Sequence, residues 1–287
     1  MIKNCLSYRY ILIGFLLEFL IVPVRAWGGG WGNAGILVFV LYIITFIILN
    51  KNGANKQRSY KMVVSFLIPL FILNIIPRMV NWEGTISSLP EVSGHVFGIL
   101  AGYLFSISNT RAYYKFGLIL TLFIATILIC TKGLDFWLHK QNYGTFTGKV
   151  SPYKAENFSA TFENGDIRQF FPFYKQKTIL LDFWYTGCGI CFRKFPELQK
   201  IYNKYKEDSN VVIFAANQYV KRDSINQCFN MIRNRGYSFP VLMIKDSMVL
   251  RKYKIESFPT TIIINPKGEI VFRGDILQAA QVLSSVN

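Results

Sequence analysis

Thr178-Ile179-Leu180-Leu181-Asp182-Phe183-Trp184-Tyr185-Thr186-Gly187-Cys188-Gly189-Ile190-Cys191 is the stretch on which the reading of this chain turns. Its first half is an apolar run of strand length and composition, and from Phe192 onward the pattern becomes helical. Two cysteines two residues apart, where a strand hands over to a helix, can close into a small disulfide or open to a dithiol. Cys188 then falls at the helix N-terminus, where unpaired backbone N–H groups and the helix dipole favour a thiolate. The predicted chemistry is thiol–disulfide exchange, with Cys188 attacking a disulfide and Cys191 resolving the mixed disulfide. The competing reading is half of a zinc site, but a closed site needs about four Cys or His ligands. His95 and His139 both precede this region and Cys228 is the one cysteine after it, so redox use is favoured over metal binding.

Two distant features sharpen the reading. Asp182 stands inside an otherwise apolar strand, where a carboxylate is costly unless used, and with a raised pKa it could take the proton of Cys191 during resolution. The alternative is a strand-edge aspartate facing solvent. Pro259, in Ser257-Phe258-Pro259-Thr260-Thr261, sits at the entrance of the strand Ile262-Ile263-Ile264, where a cis X–Pro bond can be held. There it would leave the backbone of Phe258 free to pair with an incoming peptide in strand fashion. The alternative is an ordinary loop proline. The substrate-contacting set expected around the cysteines is Trp184, Gly187, Gly189, Ile190, Phe258 and Thr260.

With Pro196 in the first helix and Asn265-Pro266-Lys267-Gly268-Glu269 after the last motif, residues 150–280 resemble the thioredoxin superfamily. The resemblance is to its membrane-anchored TlpA/ResA-like branch. It implies a thioredoxin-like α/β domain, a disulfide reductase, no cofactor beyond the Cys188–Cys191 pair, and protein disulfides as substrates. Copper-delivery members of the superfamily need a histidine, which disfavours that branch. Two positions depart from the family. Gly187 stands where a tryptophan is usual, removing an aromatic shield, and Lys194 stands where a glutamate is frequent, which leaves more of the acid–base work to Asp182. Gly189-Ile190, between the cysteines, carries no charge or histidine to stabilise the thiolate, which predicts a reducing pair.

The two halves of the 287-residue chain differ. Up to residue 142 the acids are Glu18, Glu83, Glu91 and Asp135, set among long uncharged runs, whereas the remainder is mixed and charged. The net charge of +16 is dispersed and flanks apolar segments, with no concentrated basic face of the kind nucleic acid requires. Apolar runs at 10–24, 34–49, 62–80, 92–107 and 116–130 are near membrane-spanning length. The run at 92–107 is the weakest, and its Gly94, Gly98 and Gly102 suggest close helix packing. The first run also resembles a signal peptide with Val24-Arg25-Ala26 as a cleavage site, but an uncleaved helix is favoured because further spans follow. Lys3 and Arg9, then Lys51, Lys56, Arg58 and Lys61, then Arg111 and Lys115 fall on alternate sides from Trp27, Trp31, Trp82 and Trp137. Basic loops inside and tryptophans at the outer interface place the C-terminal domain outside.

The expected organisation is multi-domain, with an N-terminal α-helical transmembrane bundle (1–137), a tether (138–157) and a C-terminal α/β thioredoxin-like domain (158–287). In the last, a mixed sheet is flanked by helices, including one over 222–235, and Asn164-Gly165 turns a hairpin. The helical half is weakly similar to the MauE/DoxX type of redox-associated membrane protein. Glu18, inside a span, is either functional, or paired with a polar neighbour or lying near a span end. Cys5, Cys130 and Cys228 stand alone, and Cys228 fits a core position beside Ile225, Phe229 and Ile232. The predicted function is a thiol-disulfide oxidoreductase at a bacterial cytoplasmic membrane, facing the periplasm and recharged by a separate thiol donor. The alternative is a transporter or assembly factor whose thioredoxin-like domain only binds partners.

Overall fold

Long apolar runs followed by alternating strand and helix patterns give, in the computed structural model, two compact units, Met1–Leu138 and His139–Asn287. The structure describes residues 7–27, 30–51, 53, 55–107, 111–224 and 226–286. Cys5 and Ile225 lie outside the described residues.

Helices α1 (Tyr8–Trp27), α2 (Trp31–Leu49), α3 (Lys56–Val80) and α4 (Val92–Ile107) of the first unit, and α5 (Ala112–Tyr143), which belongs to it as far as Leu138, contain the apolar runs. By length and composition α2, α3 and α5 are long and apolar enough to cross a membrane. α4 has only 16 residues, about 24 Å of helix, and α1 carries Arg9, Glu18 and Arg25. Side-chain register sets the helix directions. Gly35, Phe39 and Phe46 of α2 meet Gly94, Gly98 and Gly102 of α4 in that order, so these two run the same way. α1 runs with α3, since Ser7 N–H donates to Ser65 Oγ at 3.2 Å and Glu18 accepts from Asn74 Nδ2 at 3.1 Å. α5 runs against α2, with Cys130 beside Gly32 and the Phe123 ring 5.3 Å from that of Phe39. The glycines of α4 do permit close packing, because a Cβ on Gly94 would enter the backbone of Gly35.

A buried polar network ties these helices together. The Glu18 carboxylate meets Asn74, His95 Nε2 at 3.2 Å and Tyr42 Oη at 3.5 Å, and Arg25 lies 3.8 Å away. Arg25 pairs in turn with Glu91 at 2.6 Å. Each charge that leaves water thus has an opposite charge or a hydrogen bond, the condition for holding it in an apolar unit. Of the two readings of Glu18, the structure displays the paired one. Cys130 is buried against Ser93 and the Pro90 carbonyl.

The second unit is built on one eight-stranded sheet. Its strands are β1 (Lys149–Lys154), β2 (Ser159–Phe162), β3 (Ile167–Gln169), β4 (Thr178–Trp184), β5 (Val211–Gln218), β6 (Val241–Ile244), β7 (Thr260–Ile264) and β8 (Glu269–Gly274). They lie in the order β1-β8-β7-β4-β5-β6-β2-β3. β4, β5 and β6 are parallel, and the other pairings are antiparallel. Helices α6 (Gly189–Tyr205), α7 (Gln227–Arg233), α8 (Met248–Lys252) and α9 (Ile276–Val286) complete a thioredoxin-like fold. All seven residues of β4 are buried. Side chains alternate across a strand, so Leu180 and Trp184 join the core with Phe195 and Leu198 of α6, while Ile179, Leu181 and Phe183 join the opposite core with Tyr253. Asp182 shares the parity of Leu180 and Trp184 and therefore faces the α6 side.

Two expectations require correction. The segment 138–157 is not a free tether, because β1 lies within it and pairs with β8, and the compact unit already begins at His139. β1 covers the open backbone groups that β8 would otherwise present as a sheet edge. The second unit consequently contains one histidine, His139, buried with Nδ1 2.6 Å from the Thr145 carbonyl. The helix expected over 222–235 is confined to Gln227–Arg233, since residues 219–223 form a loop held by Asp223.

Replacing Gly94 by leucine should force α2 and α4 apart and lower the thermal midpoint of the detergent-solubilised chain, at a cost of about 1–3 kcal/mol or more. Gly117→Leu, at a position with nothing within 4 Å of an added Cβ, should leave the midpoint unchanged.

Candidate active site

β4 delivers the chain directly into the cysteine loop, and α6 begins immediately after Cys188. Cys188 is the N-cap residue of α6, and its Sγ accepts the backbone N–H of Cys191 at 3.2 Å. The two sulfurs are bonded at 1.97 Å, with Cys188 5 % exposed and Cys191 fully buried. When the pair is reduced, the same N–H and the first turn of α6 stabilise charge on Cys188. The less deeply buried cysteine is therefore also the one best placed to be a thiolate.

Asp182 is fully buried, which excludes the solvent-facing alternative. Oδ1 accepts the Thr261 hydroxyl at 2.8 Å across the β4–β7 pairing, and among the described residues Oδ2 has no hydrogen-bond partner. Burial pushes this carboxyl up from its ordinary 3.8 to about 7, the Thr261 hydrogen bond opposes the rise, Asp275 adds to it and Lys194 again opposes it. Lys194 and Asp275 form an ion pair at 3.2 Å, both partly exposed. The lysine found in place of the family's glutamate thus joins the electrostatics of the buried acid from the rim.

The Phe258–Pro259 bond is cis. The loop around it is held from residues expected to be tether. Tyr143 Oη donates to the Pro259 carbonyl at 3.1 Å, Ser257 Oγ donates to the Asn142 carbonyl at 3.0 Å, and Arg273 donates to the Tyr143 carbonyl at 3.1 Å. Phe258 is half-buried, its ring 5.3 Å from that of Tyr185.

A known protein, thiol-disulfide oxidoreductase ResA of Bacillus subtilis, is 31% identical over 151 residues, a match spanning 52% of this chain and 79% of ResA. The chain belongs to the ResA-like thiol-disulfide oxidoreductases. Sporulation thiol-disulfide oxidoreductase A of the same organism is 30% identical over 157 residues, spanning 53% of this chain and 88% of that protein. The AhpC/TSA family model matches residues 153–273. Among solved structures, the thioredoxin domain of a thiol-disulfide oxidoreductase from Bacteroides vulgatus is 26% identical and aligns with a TM-score of 0.41, covering 48% of this chain and 99% of that one. Members of this family work through a cysteine pair and not through a cofactor.

In this ResA-like unit the expected substrate-contacting residues separate into two groups. Gly187, Gly189 and Ile190 are exposed beside the sulfurs and Phe258 is half-buried. Trp184 and Thr260 are buried and have no surface to offer. The Trp184 ring packs edge-on against Phe192 and Phe195, and the Thr260 hydroxyl donates to the Ser257 carbonyl at 2.6 Å. Both are supports of the site and not contacts, because strand parity turns Trp184 inward and Thr260 begins a strand buried throughout. Sequence reasoning missed Thr261, although it lies beside the motif, and it missed Asp223, which accepts the Thr186 hydroxyl at 2.6 Å across 37 residues. Cys228 is sealed in the core, where burial pushes its thiol up to about 12, leaving it no exchange role at neutral pH.

Folding raises the pKa of Asp182, so the folded unit holds its proton more tightly than the unfolded chain does. Stability is therefore lost as pH rises from about 4 through about 7, by up to about 4 kcal/mol. Asp182→Asn should flatten that slope, so that the stability difference between pH 5 and pH 8 in thermal or denaturant unfolding shrinks. The same substitution should slow resolution of mixed disulfides measured by stopped-flow.

Proposed function

We propose that this chain is a membrane-anchored reductase of disulfides in extracytoplasmic proteins, with Cys188 as nucleophile, Cys191 as resolving thiol and Asp182 as the proton acceptor. The observation that carries the reading is the placement of Cys188 as N-cap of α6, directly after the strand that holds the fully buried carboxyl of Asp182, which burial pushes up to about 7. In the forward direction the Cys188 thiolate attacks one sulfur of a substrate disulfide. The substrate S–S bond breaks, a mixed disulfide forms, and the departing substrate thiolate takes a proton. Cys191 then gives its proton to Asp182 and attacks the Cys188 sulfur, closing Cys188–Cys191 and expelling the second substrate sulfur as a thiolate, which takes up a proton in turn. Two electrons pass to the substrate, and a separate dithiol donor must restore the pair. Pro259 and Phe258 present the backbone edge on which a substrate strand would lie.

The topology supports an extracytoplasmic site. α1 runs against α2, since Glu18 meets Tyr42 while Arg25 meets Glu91 beside Gly35, so the five helices alternate in direction. With Lys51, Lys56, Arg58 and Lys61 between α2 and α3 or in the first turns of α3, they fit basic loops in the cytoplasm and residues beyond α5 on the other side. The absence of charge in Gly189-Ile190 supports the reducing direction.

Cys188→Ser should reduce exchange activity to the uncatalysed rate, whereas Cys191→Ser should accumulate mixed disulfides through Cys188, visible on non-reducing gels and identifiable by mass spectrometry. Equilibration with glutathione should give a potential well below the roughly −120 mV of a strong oxidant such as DsbA. Retention of full activity by Cys188→Ser would leave a partner-binding module as the better reading.

A further inference from the structure

Gly187, immediately before the nucleophile, opens onto the loop that follows β5. A Cβ added to Gly187 would meet the terminal guanidinium nitrogen of Arg222 closer than any real contact, so a side chain at 187 and the Arg222 guanidinium compete for one space. The loop is not placed there loosely. Asp223, next in the chain, is buried, and its carboxylate accepts the Thr186 hydroxyl at 2.6 Å and the Val220 N–H at 3.5 Å. Its carbonyl accepts the Tyr219 hydroxyl at 3.2 Å. Thr186–Asp223 therefore laces residues 186–187 to residues 222–223, and Arg222 is carried over the glycine.

Arg222 itself is exposed, and among the described residues no carboxylate pairs with it. A second cation stands near the cysteine pair, since the Arg235 guanidinium lies 4.4 Å from the centre of the ring of Phe192, next in sequence to Cys191. Next to the cysteines the exposed Gly187, Gly189 and Ile190 carry no charge, and the exposed Lys221 and Arg193 add to the positive character of the neighbouring segments. A surface with an unpaired guanidinium at its edge favours a complementary anion on its partner.

We propose that Arg222 is a specificity-determining residue that selects polypeptide disulfides flanked by an acidic residue, whose carboxylate pairs with the guanidinium as Cys188 attacks. The proposal rests on the exchange reading given above and adds the class of substrate to it. Arg222 takes part in no bond change. It holds the substrate beside the nucleophile in the encounter and in the mixed disulfide.

The test uses the full chain in detergent, reduced with dithiothreitol and freed of it, with two disulfide-linked peptides differing only in Glu or Lys next to the cysteine. In a single turnover the wild type should reduce the Glu peptide with a second-order rate constant about three- to fivefold above that for the Lys peptide, the upper part of the range of an exposed ion pair, and the ratio should fall as salt is added. Arg222→Ala should bring the ratio to one, Arg222→Lys should restore part of it, and Arg222→Glu should invert it. A ratio of one in the wild type, or one unchanged across the variants, overturns the proposal and leaves the exchange reading intact. An equal slowing of both peptides by Arg222→Ala, accompanied by an alkaline shift in the pH profile of Cys188 alkylation, also overturns it, making Arg222 a thiolate stabiliser only. Failure of the wild type to reduce either peptide overturns the exchange reading, and this proposal with it.

Discussion

Strand β4 sets the terms for the rest of the C-terminal unit. It lies between β5 and β7, is covered on both faces, and still carries a carboxylate. A charge there has no water to stabilise it, so burial holds Asp182 near neutrality in its titration, and Thr261 offers only one hydrogen bond to it. The same strand ends where the cysteines begin. Alternation of side chains directs Asp182 to the side on which α6 packs, so one secondary-structure element supplies both the direction of the acid and the origin of the nucleophile's helix. The burial that makes this acid costly is also what brings its titration to about pH 7.

Around that centre, polar contacts of long sequence separation hold the loops. Tyr143 and Asn142 meet the 257–259 loop, and Asp223 meets Thr186. None of these residues reacts. They restrict where the cis-proline loop and the cysteine loop lie relative to the sulfurs, and positioning of this kind governs exchange because the attacking thiolate must approach the disulfide along its axis. The departures from the family pattern acquire physical content in this setting. Gly187 leaves room for Arg222, and Lys194 pairs with Asp275 at the edge of the buried acid's environment.

The N-terminal unit meets a related constraint differently. Glu18 and Arg25 of α1 are brought together with Asn74, Glu91 and His95 from other segments, so that each of these charges is answered. Such a network favours one arrangement of the helices over others, since any slip would strand a charge in an apolar interior. The glycines of α4 act in the same sense, Gly94 and Gly98 by admitting the backbone of α2 and Gly102 by admitting the Phe46 side chain.

Much of this was legible in the linear order of residues. Hydrophobic periodicity is a local property, so the apolar helices, strand β4 over 178–184, the hairpin at Asn164-Gly165 and the cysteine pair at a strand-to-helix junction could all be read directly. Asp182 betrayed itself as an acid where an acid is costly. The sequence could not show that residues 149–154 form a strand, because an edge strand such as β1 is recognised by the partner it covers and not by its own pattern. Nor could it show that Trp184 and Thr260 face inward, that Glu18 is answered by groups from other helices, or that Arg222 fills the space over Gly187. Those outcomes depend on contacts between residues tens of positions apart, whose energies exist only once the chain has closed upon itself.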